Sequence, residues 1–403
     1  STSLVLQSAV VTLTAELAAA SPYIESSRQI GDLAAAGTVA MAISTLGWAT
    51  LARRLPMAQL MLLGELLGIG GFVAAALAPN YVTLASGLLA SYVGTGALVA
   101  LVPVAALTLL PRGASGQALG VSTIASMIGA AMGTVLPSFM VGHVRWPIPM
   151  LAPAAYCLVG VAAAASLRIP SRAEGSPEPR RLREELAGWG QMLRVRSNLS
   201  LLLYYAVLQV AMGGPGYYLF TVLKEEYALS ASAAMGVVMT GQALIVVGTG
   251  FWGAAADDAV RRRPDGRVRT LLASTLLVTS CQAISYAVLP LYRLGPWYLA
   301  LYLAFSMLCS AAGSGALAPV MYSIIGDTTP AEQLPLAVSL RNLLGTVCSS
   351  LGIALAGTLR GLTGSYACAL FLCSAMGPLA ALLLVPAMRL VPRDMAALTA
   401  ACA

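Results

Sequence analysis

The chain has 403 residues, 58% of them hydrophobic and only 10% charged, with a mean hydropathy of +0.82 and a formal charge of +7. A water-soluble domain carries about 25% charged residues to solvate its surface, so this balance excludes that class and points to an all-α integral membrane protein. The positive charge sits in loops between apolar runs. Contact with acidic headgroups explains it, and no nucleic-acid partner is needed.

Runs of about 20 apolar residues are what a helix needs to cross roughly 30 Å of hydrocarbon. Twelve are predicted, at 3–22, 33–51, 58–78, 83–109, 117–140, 148–168, 199–222, 232–252, 270–290, 297–325, 335–358 and 367–388. The first has no basic n-region and no small-residue cleavage site, so it reads as a helix of the mature protein. It carries Glu16 about two thirds of the way along, and Thr12, Glu16 and Tyr23 share one helical face. A charge at membrane depth costs about 2.5–3.5 kcal/mol on insertion scales and marks a functional candidate. Two readings stand: Glu16 as a reversible proton carrier, which is favoured, or as a hydrogen-bond donor tying two helices together.

Glu65 in the third run is a second buried acid, read as structural. The fourth run contains "GTGAL" at 94–98, and the fifth spaces Gly120, Gly129 and Gly133 along one helix. Close small-residue packing and a helix bend are both open for these glycines. His143 is the only histidine, so no histidine-based metal cluster or Ser-His-Asp triad can be assembled.

A polar stretch, Arg168 to Asn198, divides the chain into a six-helix bundle at 1–168, a linker at 169–198 and a second bundle at 199–403. Its later part, from Pro179 to Val195, reads either as a basic amphipathic helix on the membrane surface or as a solvated tether. In the seventh run Tyr205, Gln209, Met212 and Gly216 form a stripe, and Gly213-Gly214-Pro215-Gly216 is expected to break or kink the helix. Pro215, Tyr217 and, at the matching depth of the first run, Tyr23 make a candidate outer gate. Met235, Met239 and Gln242 form a stripe on the eighth run; a greasy substrate wall is preferred over a copper site, because no histidine or cysteine ligand is near.

Asp257 and Asp258 are expected to open the loop after the eighth run, facing Arg261 and its neighbours. The tenth run repeats the pentapeptide as "GSGAL" at 313–317, an offset of 219, and "ALGVS" at 118–122 returns as "PLAVS" at 335–339. Two repeats in the same order indicate a duplicated six-helix unit, the mark of a secondary transporter. Arg341 and Asn342 lie about two turns into the eleventh run; Arg341 either contacts an anionic substrate group or pairs with a carboxylate, or else it snorkels to the surface. The seven cysteines are expected to be free thiols filling space.

Placing the N-terminus inside puts 17 arginines in cytoplasmic segments against five basic residues outside (Arg28, Arg145, Lys224, Arg293 and Arg360), which predicts cytoplasmic termini. The chain has no GxxxxGK[ST] loop, so ATP is not the expected fuel, and no cofactor is expected.

These features resemble the major facilitator superfamily along essentially the whole chain. The family's loop between the second and third spans resembles "GWATLARRLP", which keeps Gly47, Arg53 and Arg54 but has Leu51 where the aspartate belongs. "GAAADDAVRRRPDGRVR" keeps Gly253, Asp257, the arginines and Gly266-Arg267. The fifth run is similar to the family's antiporter signature, with Thr134 in place of the proline and Pro137 three residues later; the family's fourth-span arginine falls on Ala90 and is not carried over.

The resemblance implies two pseudo-symmetric six-helix bundles and alternating access, with Gly47, Arg53, Asp257 and Arg261 as an inner latch. Substrate contacts are expected from Thr12, Tyr205, Gln209, Met212, Met239, Gln242, Arg341 and Asn342. The function expected is proton-coupled export of an amphipathic drug or metabolite by a monomer in a plasma membrane such as a bacterial inner membrane, with Glu16 exchanging protons. The alternatives are uptake or uniport of an anionic metabolite through Arg341, and a transport-inactive receptor or assembly factor on the same fold.

Overall fold

Lipid offers no partner to a backbone N–H or C=O, so apolar runs of this length must bond internally, as helices. The computed structural model describes residues 27–52, 54–109, 114–140, 147–166, 190 and 195–402. Thr12, Glu16, Tyr23, Arg53, His143 and nearly all of the linker lie outside them. The described elements are α1 (Ser27–Leu51), α2 (Met57–Ala76), α3 (Tyr81–Leu109), α4 (Ser115–Met140), α5 (Ile148–Ser166), α6 (Arg196–Glu225), α7 (Ala231–Arg262) and α8 (Gly266–Val288). They continue with α9 (Pro296–Cys309), a π turn (Ser310–Ser314), α10 (Gly315–Thr328), α11 (Leu334–Thr363), α12 (Tyr366–Ser374) and α13 (Gly377–Cys402). Among the described residues eight helical stretches are long and apolar enough to cross a membrane, and two shorter apolar helices accompany them. The second to twelfth predicted runs all fall on these helices, the tenth divided by the π turn and the twelfth between α12 and α13.

Local chemistry sets several ends. Asn80 caps α3 by accepting from the Thr83 N–H at 2.9 Å, and Ser230 caps α7 by accepting from the Ala233 N–H at 3.2 Å. Pro296 follows Gly295 at the start of α9. Gly364, at φ +69°, ends α11 in the left-handed conformation that glycine adopts without strain.

Two expectations are corrected. The expected break is absent, because α6 runs through Gly213-Gly214-Pro215-Gly216 as one helix with Pro215 inside it. These glycines instead admit a neighbour: a Cβ on Gly213 would strike the Ser349 backbone, and one on Gly214 would meet Ala356 and Gly352. Asp257 and Asp258 do not begin a loop, because α7 continues to Arg262. Three alanines carry the helix onward, Asp258 pairs with Arg262 at 2.6 Å one turn away, and Arg261 and Arg262 complement the helix dipole at its C-terminus.

The chain resolves into two compact units. The first takes residues 1–109, 124–188 and 332–343; the second takes 110–123, 189–331 and 344–403. Helix α4 therefore gives its opening turns to the second unit, and α11 gives its opening turns to the first. The first unit is cored by Phe72, Leu84, Leu88 and Cys157, and by Trp48, Leu60, Ala97 and Leu101. The second is cored by Val222, Leu223, Tyr286, Tyr302 and Leu370.

The repeated pentapeptides occupy contact points of the same kind. A Cβ on Gly94 would strike the α2 backbone at Gly64 and Gly68, and one on Gly96 would strike Ser44 of α1. In the second unit a Cβ on Gly313 would strike Val278 of α8, while Gly248 of α7 makes room for the Ala311 carbonyl. In both repeats the first glycine lets its helix approach a neighbour closely, α2 at Gly94 and α8 at Gly313.

Candidate functional site: a buried ion cluster and a polar helix seat

The end of α7 in the second unit holds three charges almost wholly out of solvent. Asp257, Arg267 and Asp327 are 4%, 2% and 5% exposed. Arg267, at the start of α8, donates through one guanidinium nitrogen to Asp257 at 2.6 Å. Its other terminal nitrogen donates to Asp327, at the end of α10. The planar fork of arginine suits such a bridge between two carboxylates.

Two carboxylates against one guanidinium leave a formal excess of negative charge, and the α4 N-terminus faces it. The Gly116 N–H donates to one Asp257 oxygen at 3.0 Å, and the Gln117 N–H to the other at 2.8 Å. These are backbone donors without intrahelical partners, at the positive end of the helix dipole. Glycine is required for the approach: a Cβ on Gly116 would meet Asp257 and the Gly253 carbonyl, and one on Gly253 would meet the Gly116 carbonyl. The arrangement holds a helix terminus by charge, and a hold of that kind can be released if the terminus withdraws.

Beside it, α6 is fastened at its start. Thr328 Oγ1 donates to Asn198 Oδ1 at 3.0 Å, Asn198 Nδ2 donates to Thr329 at 3.2 Å, and the Ser197 N–H donates to Asp394 at 3.2 Å.

The first unit answers differently. Gly47 is exposed, with nothing within 4 Å of where its Cβ would be, and Leu51 is 40% exposed. The opening of α11 is instead seated by uncharged groups. Ser339 Oγ donates to the Thr45 carbonyl at 2.9 Å, and Asn342 Nδ2 donates to the Val99 carbonyl at 3.2 Å. Arg341 is buried and donates to Asn342 Oδ1 at 3.0 Å.

Of the expected latch residues, the structure engages Asp257, leaves Gly47 idle, and places Arg261 on the exposed last turn of α7. The arginine that meets Asp257 is Arg267, present in the quoted loop pattern but not chosen. Asp327 went unremarked, although an acid closing an apolar run just before Thr-Thr-Pro was the available signal. Among the expected substrate contacts, Tyr205 is buried against Gly345. Gln209, Met212 and Met239 are half-buried and Gln242 is exposed. Pro215 is buried inside α6, whereas Tyr217 is exposed and meets the Tyr218 ring edge-on, the centroids 5.2 Å apart. Among the described residues no group of His, Cys, Asp and Glu could hold a metal ion, and the six described cysteines form no disulfide.

Twelve expected apolar runs, a duplicated helix-packing motif and charged residues buried near helix ends define a membrane transporter fold. Residues 3–312 match the sequence profile of the Major Facilitator Superfamily, and the chain belongs to that family. It is not an enzyme. No curated protein matches its sequence. Among solved structures it is similar to the fucose:proton symporter FucP of E. coli, with a TM-score of 0.73 and 15% identity over 96% of this chain and 97% of that one. It is also similar to the human organic anion transporter MFSD10, at 0.69 and 18% over 95% and 97%. A bacterial homologue of the iron transporter ferroportin gives 0.71 and 14% over 96% and 97%. At these identities the likeness is one of fold.

Proposed function

We propose that the protein exports an amphipathic small organic molecule across a plasma membrane, such as a bacterial inner membrane, in exchange for protons. It works as a monomer that opens alternately to either side, with both termini in the cytoplasm. The observation that carries the alternating-access part is the Asp257 carboxylate holding the α4 N-terminus through Gly116 and Gln117 while Arg267 bridges it to Asp327. Closing α4 onto the cluster supplies donors to a negatively charged site; withdrawing it leaves the site to water. A six-helix bundle at 1–168, a linker at 169–198 and a second bundle at 199–403 form the two halves of the transporter.

Thr12, Tyr205, Gln209, Met212, Met239, Gln242, Arg341 and Asn342 supply a mostly apolar lining with a few polar groups, which suits an amphipathic ligand. Glu16 carries the proton. Support comes from an acid placed mid-run in an apolar segment, from the antiporter-like glycines Gly120, Gly129 and Gly133, and from a fold shared with a fucose:proton symporter. Tyr23, Pro215 and Tyr217 close the outer side. Gly47, Arg53, Asp257 and Arg261 act at the inner side, with Arg267 as the cation of the Asp257 hold.

The test is transport in proteoliposomes under an imposed pH gradient, with tetraphenylphosphonium as the cationic probe and p-aminohippurate as the anionic one. Acid-outside gradients should drive uphill export of the cation, and Glu16→Gln should abolish the uphill component. Uphill export that survives Glu16→Gln overturns the coupling role. A second reading, transport of an anionic metabolite, is favoured by one observation: the guanidinium of Arg341 is buried beside Asn342. Flux of p-aminohippurate lost on Arg341→Ala, with no flux of the cation, selects it.

A further inference from the structure

Proline at position 103 removes a backbone donor from inside α3, toward its C-terminal end. The carbonyl that loses its i→i−4 partner is that of Val99. Val99 is half-buried, and backbone carbonyls held away from water are rarely left unpaired, so a donor is expected from elsewhere. The answer is Asn342 of α11, whose Nδ2–H donates to the Val99 oxygen at 3.2 Å. The other end of the same amide accepts from Arg341 Nη1 at 3.0 Å. One turn earlier Ser339 donates to the Thr45 carbonyl of α1. All of these residues lie in the first unit, although residues 344–363 of the same helix lie in the second.

We infer that Asn342 is a positioning residue: seated on the carbonyl that Pro103 leaves open, it fixes the opening segment of α11 against α3 and sets the orientation of the Arg341 guanidinium. Asparagine suits the place because one amide carries both a donor and an acceptor. Leucine of similar size supplies neither. Aspartate accepts from Arg341 but turns an oxygen toward the Val99 oxygen. The bond from Asn342 to the Val99 carbonyl involves neither Glu16 nor the Asp257 cluster, so it stands independently of both, and its test involves no transported molecule.

The experiment is hydrogen–deuterium exchange of the full chain in lipid nanodiscs, read on peptides covering 334–343. Asn342→Leu and Asn342→Asp should each speed exchange there by about tenfold, which corresponds to about 1.4 kcal/mol of local opening free energy. Adding Pro103→Ala to Asn342→Leu returns an N–H to the Val99 carbonyl, and exchange should fall back to within about threefold of the parent. Rescue by a substitution on a different helix is what a bulk packing role for Asn342 would not give. If Asn342→Leu lowers the yield of monodisperse protein too far for exchange, recovery of that yield by Pro103→Ala is the readout. Unchanged exchange in both Asn342 variants, or a Pro103→Ala double variant no better than Asn342→Leu alone, overturns the inference.

Discussion

The indole nitrogen of Trp48 donates to the Val93 carbonyl at 2.8 Å, one residue before the first repeated pentapeptide. The second half answers it: Trp252 donates to the Ala311 carbonyl at 3.3 Å, two residues before the second repeat. In each unit a tryptophan of the helix beside the glycine-rich strip ties that helix to the strip's backbone. The Ala311 carbonyl lies within a π turn, where the regular hydrogen-bond ladder is displaced, so an outside donor matters more there. Trp48→Phe and Trp252→Phe keep most of the buried ring surface and remove the donor. Each should lower stability by about 1 kcal/mol, with Trp252→Phe the larger, measured by thermal unfolding in one detergent.

Close helix approach makes a sharper prediction at the glycines. Gly94→Ala and Gly248→Ala would drive a methyl group into the backbones of α2 and of the π turn respectively. Backbone yields less readily than the end of a flexible side chain, so each should cost about 1–3 kcal/mol. Gly47→Ala and Gly70→Ala have open space around the new methyl group and should leave the unfolding midpoint unchanged or slightly raised. Equal losses at all four sites would refute the packing account.

How much of this was legible depended on range along the chain. Apolar runs announce themselves because lipid imposes length and hydrophobicity on each helix separately, and the eleven runs that fall on described residues lie on helices, though α7 runs ten residues past its expected end and α13 continues to Cys402. The pentapeptide repeat was legible as duplication, yet its reason, close approach of Gly94 to the Gly68 backbone and of Gly313 to the Val278 side chain, needed those neighbours. Asp257 could be chosen from a loop pattern. Its partners could not, because Asp327 lies 60 residues from Arg267 and Gly116 lies 141 residues from Asp257, and no periodicity links them. The extension of α7 past residue 252 was missed because charged residues read as loop, although Asp258 and Arg262 at helical spacing support the helix they were taken to end. The Pro103–Asn342 relationship joins a missing donor on one helix to an amide on another, and neither residue is unusual alone.

Removing a charge from the buried cluster should be far costlier than removing one nearby on the surface. Asp257→Asn leaves the Arg267 guanidinium with one carboxylate and deprives the α4 N-terminus of its anion. Breaking a buried pair costs about 3–5 kcal/mol. Asp258→Asn breaks an exposed pair with Arg262, both side chains more than half exposed, and should cost less than about 1 kcal/mol. Leu51→Asp, at the exposed position corresponding to Asp257 in the first half, should shift stability by no more than about 0.5 kcal/mol. The order Asp257 far above Asp258 and Leu51 is the checkable content, read from unfolding midpoints.

Gly345 and Tyr205 give the last test, because it separates substrate contact from fold. A Cβ on Gly345 of α11 would sit 2.6 Å from a ring carbon of Tyr205 and 2.9 Å from its hydroxyl, closer than real side chains come. Gly345→Ala must therefore displace the tyrosine ring of α6, and a ring can turn where a backbone cannot, so the protein should fold with a loss of about 1–2 kcal/mol. If Tyr205 contacts the transported molecule, Gly345→Ala should raise KM several-fold with a smaller change in kcat, and Tyr205→Ala should do the same. The double variant should be no worse than Tyr205→Ala alone, since the methyl group would then have nothing to push. A KM unaltered in both single variants removes Tyr205 from the binding surface and leaves it a packing residue between α6 and α11.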